Sequence, residues 1–178
     1  MKHSLFFFLA LSAAAGAHAE CEILLSDPQI SYAPVTRGEL LARAEKGFAA
    51  DELRTGEAQD VDIAVQCDAP AALALQFVAP AAERASYRFG AAGRTRLVLH
   101  DVFIDDRPAE IVSLGKEASA MAFTPGETLT FGQGEGAATG TFLRGKVRVI
   151  SWMPNPATRV SEQTRWTLSG SFVLRPAS

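Results

Sequence analysis

The stretch Val61-Asp62-Ile63-Ala64-Val65-Gln66-Cys67 decides the fold class. Val61, Ile63, Val65 and Cys67 alternate with polar or small residues. Successive side chains of a β-strand point to opposite faces, so a period of two places these four on one face. The pattern predicts a half-buried strand that ends at the cysteine, before the Ala69-Pro70 break.

The same period of two recurs along most of the chain, in stretches separated by turn residues. These stretches are 73–77, 97–104, 111–114, 121–123, 129–131, 142–152 and 166–174. Thr124-Pro125-Gly126-Glu127 stands between two of them and predicts a hairpin. Only Gly38 to Lys46 has helical spacing, and it predicts a short helix or loop. Many short strands divided by turns predict an all-β fold, a β-sandwich built as one domain.

The first nineteen residues have the layout of a secretory signal peptide. Lys2 and His3 precede an apolar run from Leu5 to Ala15, and Ala17-His18-Ala19 supplies the small residues of a cleavage site. The run is too short to cross a bilayer as a helix. We therefore expect residues 1–19 to be removed and residues 20–178 to be exported as a single domain without a transmembrane segment.

Cys21 and Cys67 are the only cysteines of the chain. In an exported protein, a disulfide between them is the default expectation. The alternatives are that each thiol is free or bridges another chain. Two cysteines without a second ligand cluster cannot complete a zinc shell. We predict one structural disulfide and no metal site.

The charge and the polar motifs do not indicate catalysis or nucleic-acid binding. The formal net charge is −3, and the chain has no basic run of the kind that binds nucleic acid. His100 is the only histidine after the predicted signal peptide. Adjacent strand residues face opposite ways, so His100 and Asp101 share a pocket only if a bulge intervenes. No serine lies in a nucleophile-elbow pattern. We predict a non-enzymatic protein without a cofactor.

The two cysteine-bearing segments carry a family resemblance. Cys21-Glu-Ile-Leu-Leu-Ser-Asp-Pro-Gln-Ile-Ser-Tyr32 resembles the opening of subunits of chaperone–usher fimbriae, in which an alternating strand and a Ser-x-Pro follow the first cysteine. The segment from Val61 to Pro70 is similar to the pilin pattern in which a strand delivers the second cysteine. Tyr87-Arg-Phe-Gly90 and the alternating C-terminal strand fit the same family. The nearest resemblance is to the poorly characterised pilin-like proteins of fimbrial operons.

The resemblance implies an immunoglobulin-like, pilin-type sandwich that lacks its last strand. In that family a periplasmic chaperone fills the gap during secretion and delivers the subunit to the outer-membrane usher. In the fibre, a neighbouring subunit fills the gap instead. Both do so by strand addition. The acceptor groove is expected along one face of the C-terminal strand, with Cys21 to Leu25 as its opposite wall. Its residues are Trp166, Leu168, Gly170, Phe172 and Leu174. The implied protein is a minor or tip subunit that moves from the periplasm to the fimbrium and contributes to cell adhesion.

Departures from the family keep an alternative open. Only Glu20 precedes Cys21 after the predicted cleavage, whereas pilins carry a donor extension there; a subunit that accepts a strand but donates none belongs at a tip. The alternative is a self-complete secreted or periplasmic sandwich that binds a small ligand or a protein, and an exported hydrolase ranks third. The strand-accepting subunit and the self-complete sandwich differ in the role that they give Gly170. Its missing side chain leaves a hole for an incoming strand, or it marks a bulge or tight contact in a complete sheet.

Overall fold

The computed structural model describes residues 19–42, 51–134 and 136–175, so the predicted signal peptide lies outside the described residues except for Ala19. Within them, nearly all regular structure is antiparallel β-strand in two curled sheets. The strands are β1 (Cys21–Leu25), β2 (Glu52–Arg54), β3 (Gln59–Ala72), β4 (Ala74–Val78), β5 (Ala81–Glu83), β6 (Ser86–Phe89), β7 (Gly93–Ile104), β8 (Arg107–Pro108), β9 (Glu110–Ser113), β10 (Lys116–Ala118), β11 (Ala120–Ala122), β12 (Leu129–Gln133), β13 (Gly136–Ala137), β14 (Thr139–Pro154) and β15 (Ser171–Leu174). One helix, α1 (Arg37–Ala42), and one 3₁₀ turn (Asn155–Thr158) complete the described elements.

The strands form an all-β sandwich, as the sequence predicts. Nine strands make the first sheet, in the order β1-β3-β14-β7-β6-β5, with β8 and β11 also on β7 and β2 also on β14. Six strands make the second sheet, in the order β10-β9-β12-β4-β15, with β13 on β12. β1 and β15 are therefore the end strands of their sheets.

The main core lies between the sheets and follows the period of two. In β3, Val61, Ile63, Val65 and Cys67 are buried, and Asp62 and Gln66 between them are exposed. Burial of these apolar side chains removes them from water, which is the largest favourable contribution to folding. The stretch that predicts the fold class thus lies in β3, between the end strand β1 and the long strand β14.

A smaller apolar cluster lies beside the main core. The Thr36 hydroxyl accepts a hydrogen bond from the Glu39 N–H, and the Glu39 carboxylate accepts one from the Thr36 N–H, a capping box that starts α1. The helix then buries Leu40 against Phe89 and Met153. The short helix or loop predicted over 38–46 is a helix at Arg37–Ala42, and positions 43–46 lie outside the described residues.

The hairpin predicted at Thr124-Pro125-Gly126-Glu127 is wrong, although the turn itself forms. The Glu127 N–H donates to the Thr124 carbonyl at 3.0 Å. However, β11 before the turn pairs with β7 in the first sheet, and β12 after it pairs with β4 and β9 in the second. Phe123 is fully buried at this crossing. The connection is an arch between sheets, because burial of that ring holds the chain in the core as it changes sheet.

Candidate strand-acceptor site

The predicted disulfide is present and fixes the first strand. Cys21 and Cys67 are bonded, and they face each other in the β1–β3 ladder with their Cα atoms 4.1 Å apart. The ladder continues in register from this pair to Leu25 opposite Ile63. β1 is therefore held to β3 by a covalent bond at one end and by backbone pairing along its length.

The hydrogen bonds that flank β1 show which of its backbone groups are free to bind elsewhere. The Asp68 N–H donates to the Glu20 carbonyl, and the Ser26 N–H donates to the Asp62 carbonyl. Hydrogen-bonded and non-hydrogen-bonded pairs alternate along an antiparallel ladder. Even-numbered residues of β1 therefore bond to β3, and the N–H and C=O groups of Cys21, Ile23 and Leu25 point away from it.

The same alternation applies to β15. The Arg175 N–H donates to the Ala74 carbonyl at 2.9 Å, in register with the pairing of Ser171 with Val78. Ser171 and Val173 therefore bond to β4, and the backbone groups of Phe172 and Leu174 point to the other side. Within the described part of the chain, β15 has no second partner strand.

The two end strands lie close together without pairing, and between them the core is only partly covered. We call this place the rim; it consists of Cys21, Ile23, Leu25, Phe172 and Leu174. All five side chains are half-buried and pack against the main core. The residues with free backbone groups are thus the ones whose side chains cover the core incompletely.

The structure divides the predicted groove residues between two places. Phe172 and Leu174 lie at the rim, and Leu168 packs against both apolar clusters. Trp166 lies in the smaller cluster, with its ring centroid 5.9 Å from that of Phe89. The strand predicted over 166–174 is paired only at 171–174. Its alternation of exposure extends further back, because Thr167 and Ser169 are exposed and Trp166 and Leu168 are half-buried.

Gly170 lies outside the rim, and the space beside it is occupied. A Cβ atom added there would lie 2.8 Å from the Phe77 Cε1 and 2.9 Å from the Ala79 Cβ. The Phe77 ring is itself buried, and it packs edge-on against Tyr87. Of the two interpretations of Gly170, the contacts with Phe77 and Ala79 agree with a tight packing contact and not with a hole.

His100 and Asp101 face the same way, because a β-bulge intervenes. Asp101 has a φ of 53°, and the β7–β14 register shifts between His100 and Phe103. His100 Nδ1 lies 3.2 Å from Asp101 Oδ2, and its Nε2 lies 3.4 Å from Asp60 Oδ1. The sequence identifies His100 and Asp101, but not Asp60, because pairing of β3 with β14 is invisible in a linear pattern.

Arg148 holds Asp60 in this outer-face cluster. Its Nε and Nη2 each donate to one Asp60 carboxylate oxygen at 2.9 Å. The hydrogen bonds from Arg148 are the main reason that the pKa of Asp60 lies below its usual value. Asp60 is thus held ionised by a bidentate ion pair, which is a structural arrangement on the solvent face of the sheet.

An open groove crosses the same outer face beside β1. Its lining includes Leu24, Asp62, Asp101, Arg144 and Lys146. The Arg144 guanidinium lies over the Phe103 ring, 4.0 Å from its centroid. Apolar, acidic and basic side chains therefore meet in one shallow depression.

Comparison of the chain with models of protein families, with curated proteins and with solved structures found no match. Among the residues that the structure describes, no helix is long and apolar enough to cross a bilayer. The same residues include no cluster of three or more His, Cys, Asp or Glu side chains placed to hold a metal ion.

Proposed function

We propose that this protein is a non-enzymatic minor or tip subunit of a chaperone–usher fimbria, exported to the periplasm and assembled by donor-strand complementation into a fibre that contributes to cell adhesion. Its partners are a periplasmic fimbrial chaperone, the outer-membrane usher and a neighbouring subunit. Its sandwich is of the immunoglobulin-like, pilin type. The observation that carries the proposal is the rim, where the free backbone edge of β15 adjoins half-buried apolar side chains.

Strand addition requires both properties of the rim. Unpaired backbone groups on an edge strand supply hydrogen bonds to an incoming strand, and apolar side chains give its alternate residues something to bury. At β15 both properties belong to Phe172 and Leu174, whose backbone groups face outward while their side chains face the core. An added strand would gain hydrogen bonds and apolar burial at the same two positions.

Amide hydrogen exchange on the exported chain tests this directly. Alone, the chain should protect the Ser171 and Val173 amides, which bond to β4, and leave the Phe172 and Leu174 amides exchanging fast. Addition of a synthetic peptide that copies the donor strand of a fimbrial chaperone should slow exchange at Phe172 and Leu174. Ser171 and Val173 are the internal control, and a scrambled peptide is the external one. Phe172 and Leu174 amides that are protected without any peptide would contradict the proposal.

A self-complete exported sandwich that binds a small ligand is the second candidate, and two observations favour it. Phe77 fills the space at Gly170, so that part of the sheet is already complete. The outer-face groove combines Arg144 stacked on Phe103 with exposed Lys146, which suits a small polar ligand. A melting temperature that no donor peptide changes, together with failure to co-purify with a fimbrial chaperone, would favour this candidate over the first.

A further inference from the structure

The last ten described residues, 166–175, are held by the rest of the chain much as a bound peptide would be. We call this segment the C-terminal arm. Its contacts are with strands and turns that lie far away in the sequence, from β4 and β6 to the arch after β11. We call the residues that hold the arm, which include Phe77, Phe89 and Phe123, its seat. The same contacts form whether the arm and its seat belong to one copy of the chain or to two.

The first half of the arm is anchored by Trp166. The indole lies against Gly90 and Gly93, where an added Cβ would meet it at 2.6 Å and 3.1 Å respectively. Beside it, the Gly90 N–H donates to the Thr167 carbonyl at 2.9 Å. Two residues without side chains thus form a flat seat for one large ring.

The second half of the arm is anchored by Phe172 and by pairing. The Phe172 ring centroid lies 4.8 Å from that of Phe77 and 5.4 Å from that of Phe123. The β15–β4 ladder aligns the arm over four residues. At its end the Arg175 Nε donates to the Gln76 Oε1 at 2.7 Å. The seat therefore contacts the arm through a ring, a backbone ladder and one polar side chain.

The segment before the arm, residues 159–165, makes exchange of the arm between two copies possible, and we call it the link. Residues 159–165 are all exposed and form no strand or helix. The hydrogen bonds described in the link are local, from the Arg159 N–H to Pro156 and from the Thr164 hydroxyl to Glu162. Seven extended residues span about 23–25 Å, enough to carry the arm to a neighbouring molecule. Exchange would leave every contact of the arm unchanged and alter only this link.

We infer that the C-terminal arm exchanges between two copies of this chain, so that each copy seats residues 166–175 of the other and a reciprocal dimer forms. The occupant is a second copy because the seat is already filled by this sequence, and identical elements exchange at low cost. The inference is independent of the proposed fimbrial function.

A disulfide trap tests the exchange on the full exported chain. Ser171 and Val78 are opposite each other across the β15–β4 ladder, and both are exposed. Paired residues at this separation are within the Cα range that a disulfide spans. One batch carries Val78→Cys with an affinity tag, a second carries Ser171→Cys, and the two are mixed at high concentration, warmed below the unfolding transition and then oxidised.

The expected product is a reducible heterodimer joined through positions 78 and 171 and identified by mass spectrometry. A matched partner batch with Ser161→Cys, an exposed position in the link, should give much less heterodimer with the Val78→Cys chain. In a further control, wild-type chain is mixed with the Val78→Cys chain. Any heterodimer from that mixture would come from thiol exchange with the native Cys21–Cys67 disulfide. Equal yields from the Ser171→Cys and Ser161→Cys batches would overturn the inference.

A second variant keeps the test decisive if the cysteine substitutions perturb folding. Deletion of residues 161–163 shortens the link, so the arm can no longer return easily to its own molecule. This variant should elute as a dimer in size-exclusion chromatography at concentrations where the wild-type chain elutes as a monomer. A deletion variant that stays folded and elutes as a monomer would overturn the inference.

Discussion

β1 and β15 both end a sheet at the same rim, but they are attached to the molecule by different means. β1 is joined to β3 by the Cys21–Cys67 bond, which persists when the surrounding structure opens. β15 is held by four ladder positions and by the packing of Phe172, contacts that vanish as soon as the strand leaves. A covalently fixed edge and a reversibly fixed edge therefore border one gap, and only the second can be exchanged or supplemented without breaking a bond.

Removal of the disulfide should give the largest effect. Replacement of both cysteines by alanine should lower the free energy of unfolding by about 2–5 kcal/mol, because the bond limits the unfolded chain across a separation of 46 residues. Urea denaturation under non-reducing conditions measures the difference. Thiol titration of the denatured, unreduced wild type should detect no free thiol. Equal urea midpoints would mean that backbone pairing alone holds β1, and the contrast between the edges would disappear.

Addition of a methyl group at Gly170, just before β15, should have an intermediate effect on stability. Gly170→Ala places a methyl group against the buried Phe77 ring and Ala79, and overpacking of this kind costs about 1–3 kcal/mol. Gly132→Ala is the matched control, since the nearest atom to its added Cβ is an ordinary 3.6 Å away. Thermal unfolding of the two variants compares them. If Gly170→Ala is as stable as Gly132→Ala, the packing around the arm is looser than the contacts imply.

Loss of the Asp60–Arg148 ion pair, next to the disulfide-bonded edge, should give the smallest effect on stability. Asp60 is on β3, the strand that carries Cys67, and its side chain is 34% exposed. Its pKa is lowered in the folded chain, chiefly by hydrogen bonds from Arg148, so its contribution exists above its ordinary pKa and is lost as the pH falls. Asp60→Asn should cost less than about 1 kcal/mol at pH 7, as exposed pairs do. Urea midpoints at pH 7 and well below about pH 4 should show the difference shrinking with acid, and a difference that grows instead would contradict the assignment.

The positions of the longer strands, such as β3, β7 and β14, could be predicted from the sequence, because apolar alternation reports which face of each strand is buried. Short strands such as β2, β5 and β8 carry too few residues to show that alternation. The partners of the strands could not be predicted. Thr124-Pro125-Gly126-Glu127 has the composition of a hairpin turn, and the turn forms, but burial of Phe123 sends the chain to the other sheet. Turn chemistry is local, whereas the choice between a hairpin and an arch depends on where a large ring finds room.

The candidate site could be predicted only in part, for the same reason. The cysteine pair follows from counting, but the rim depends on which strands end each sheet. Gly170 looks like a gap in an apolar row until Phe77, which is distant in the sequence, is placed against it. His100 and Asp101 look opposed until a bulge at a residue with positive φ turns them the same way. For the rim and Gly170 the missing information is a contact between residues far apart in the chain, and for His100 and Asp101 it is a local bulge in the backbone.

The position of β15 also has a consequence for the order of folding. The Arg175–Gln76 hydrogen bond joins residues 99 positions apart, whereas the disulfide spans only 46. Contacts of long sequence separation form late, since loop closure must be completed before they stabilise the chain. β4 therefore keeps one edge unpaired until residues 171–174 pair with it. During that interval the chain presents a vacant strand position on β4, which is the position that β15 later fills.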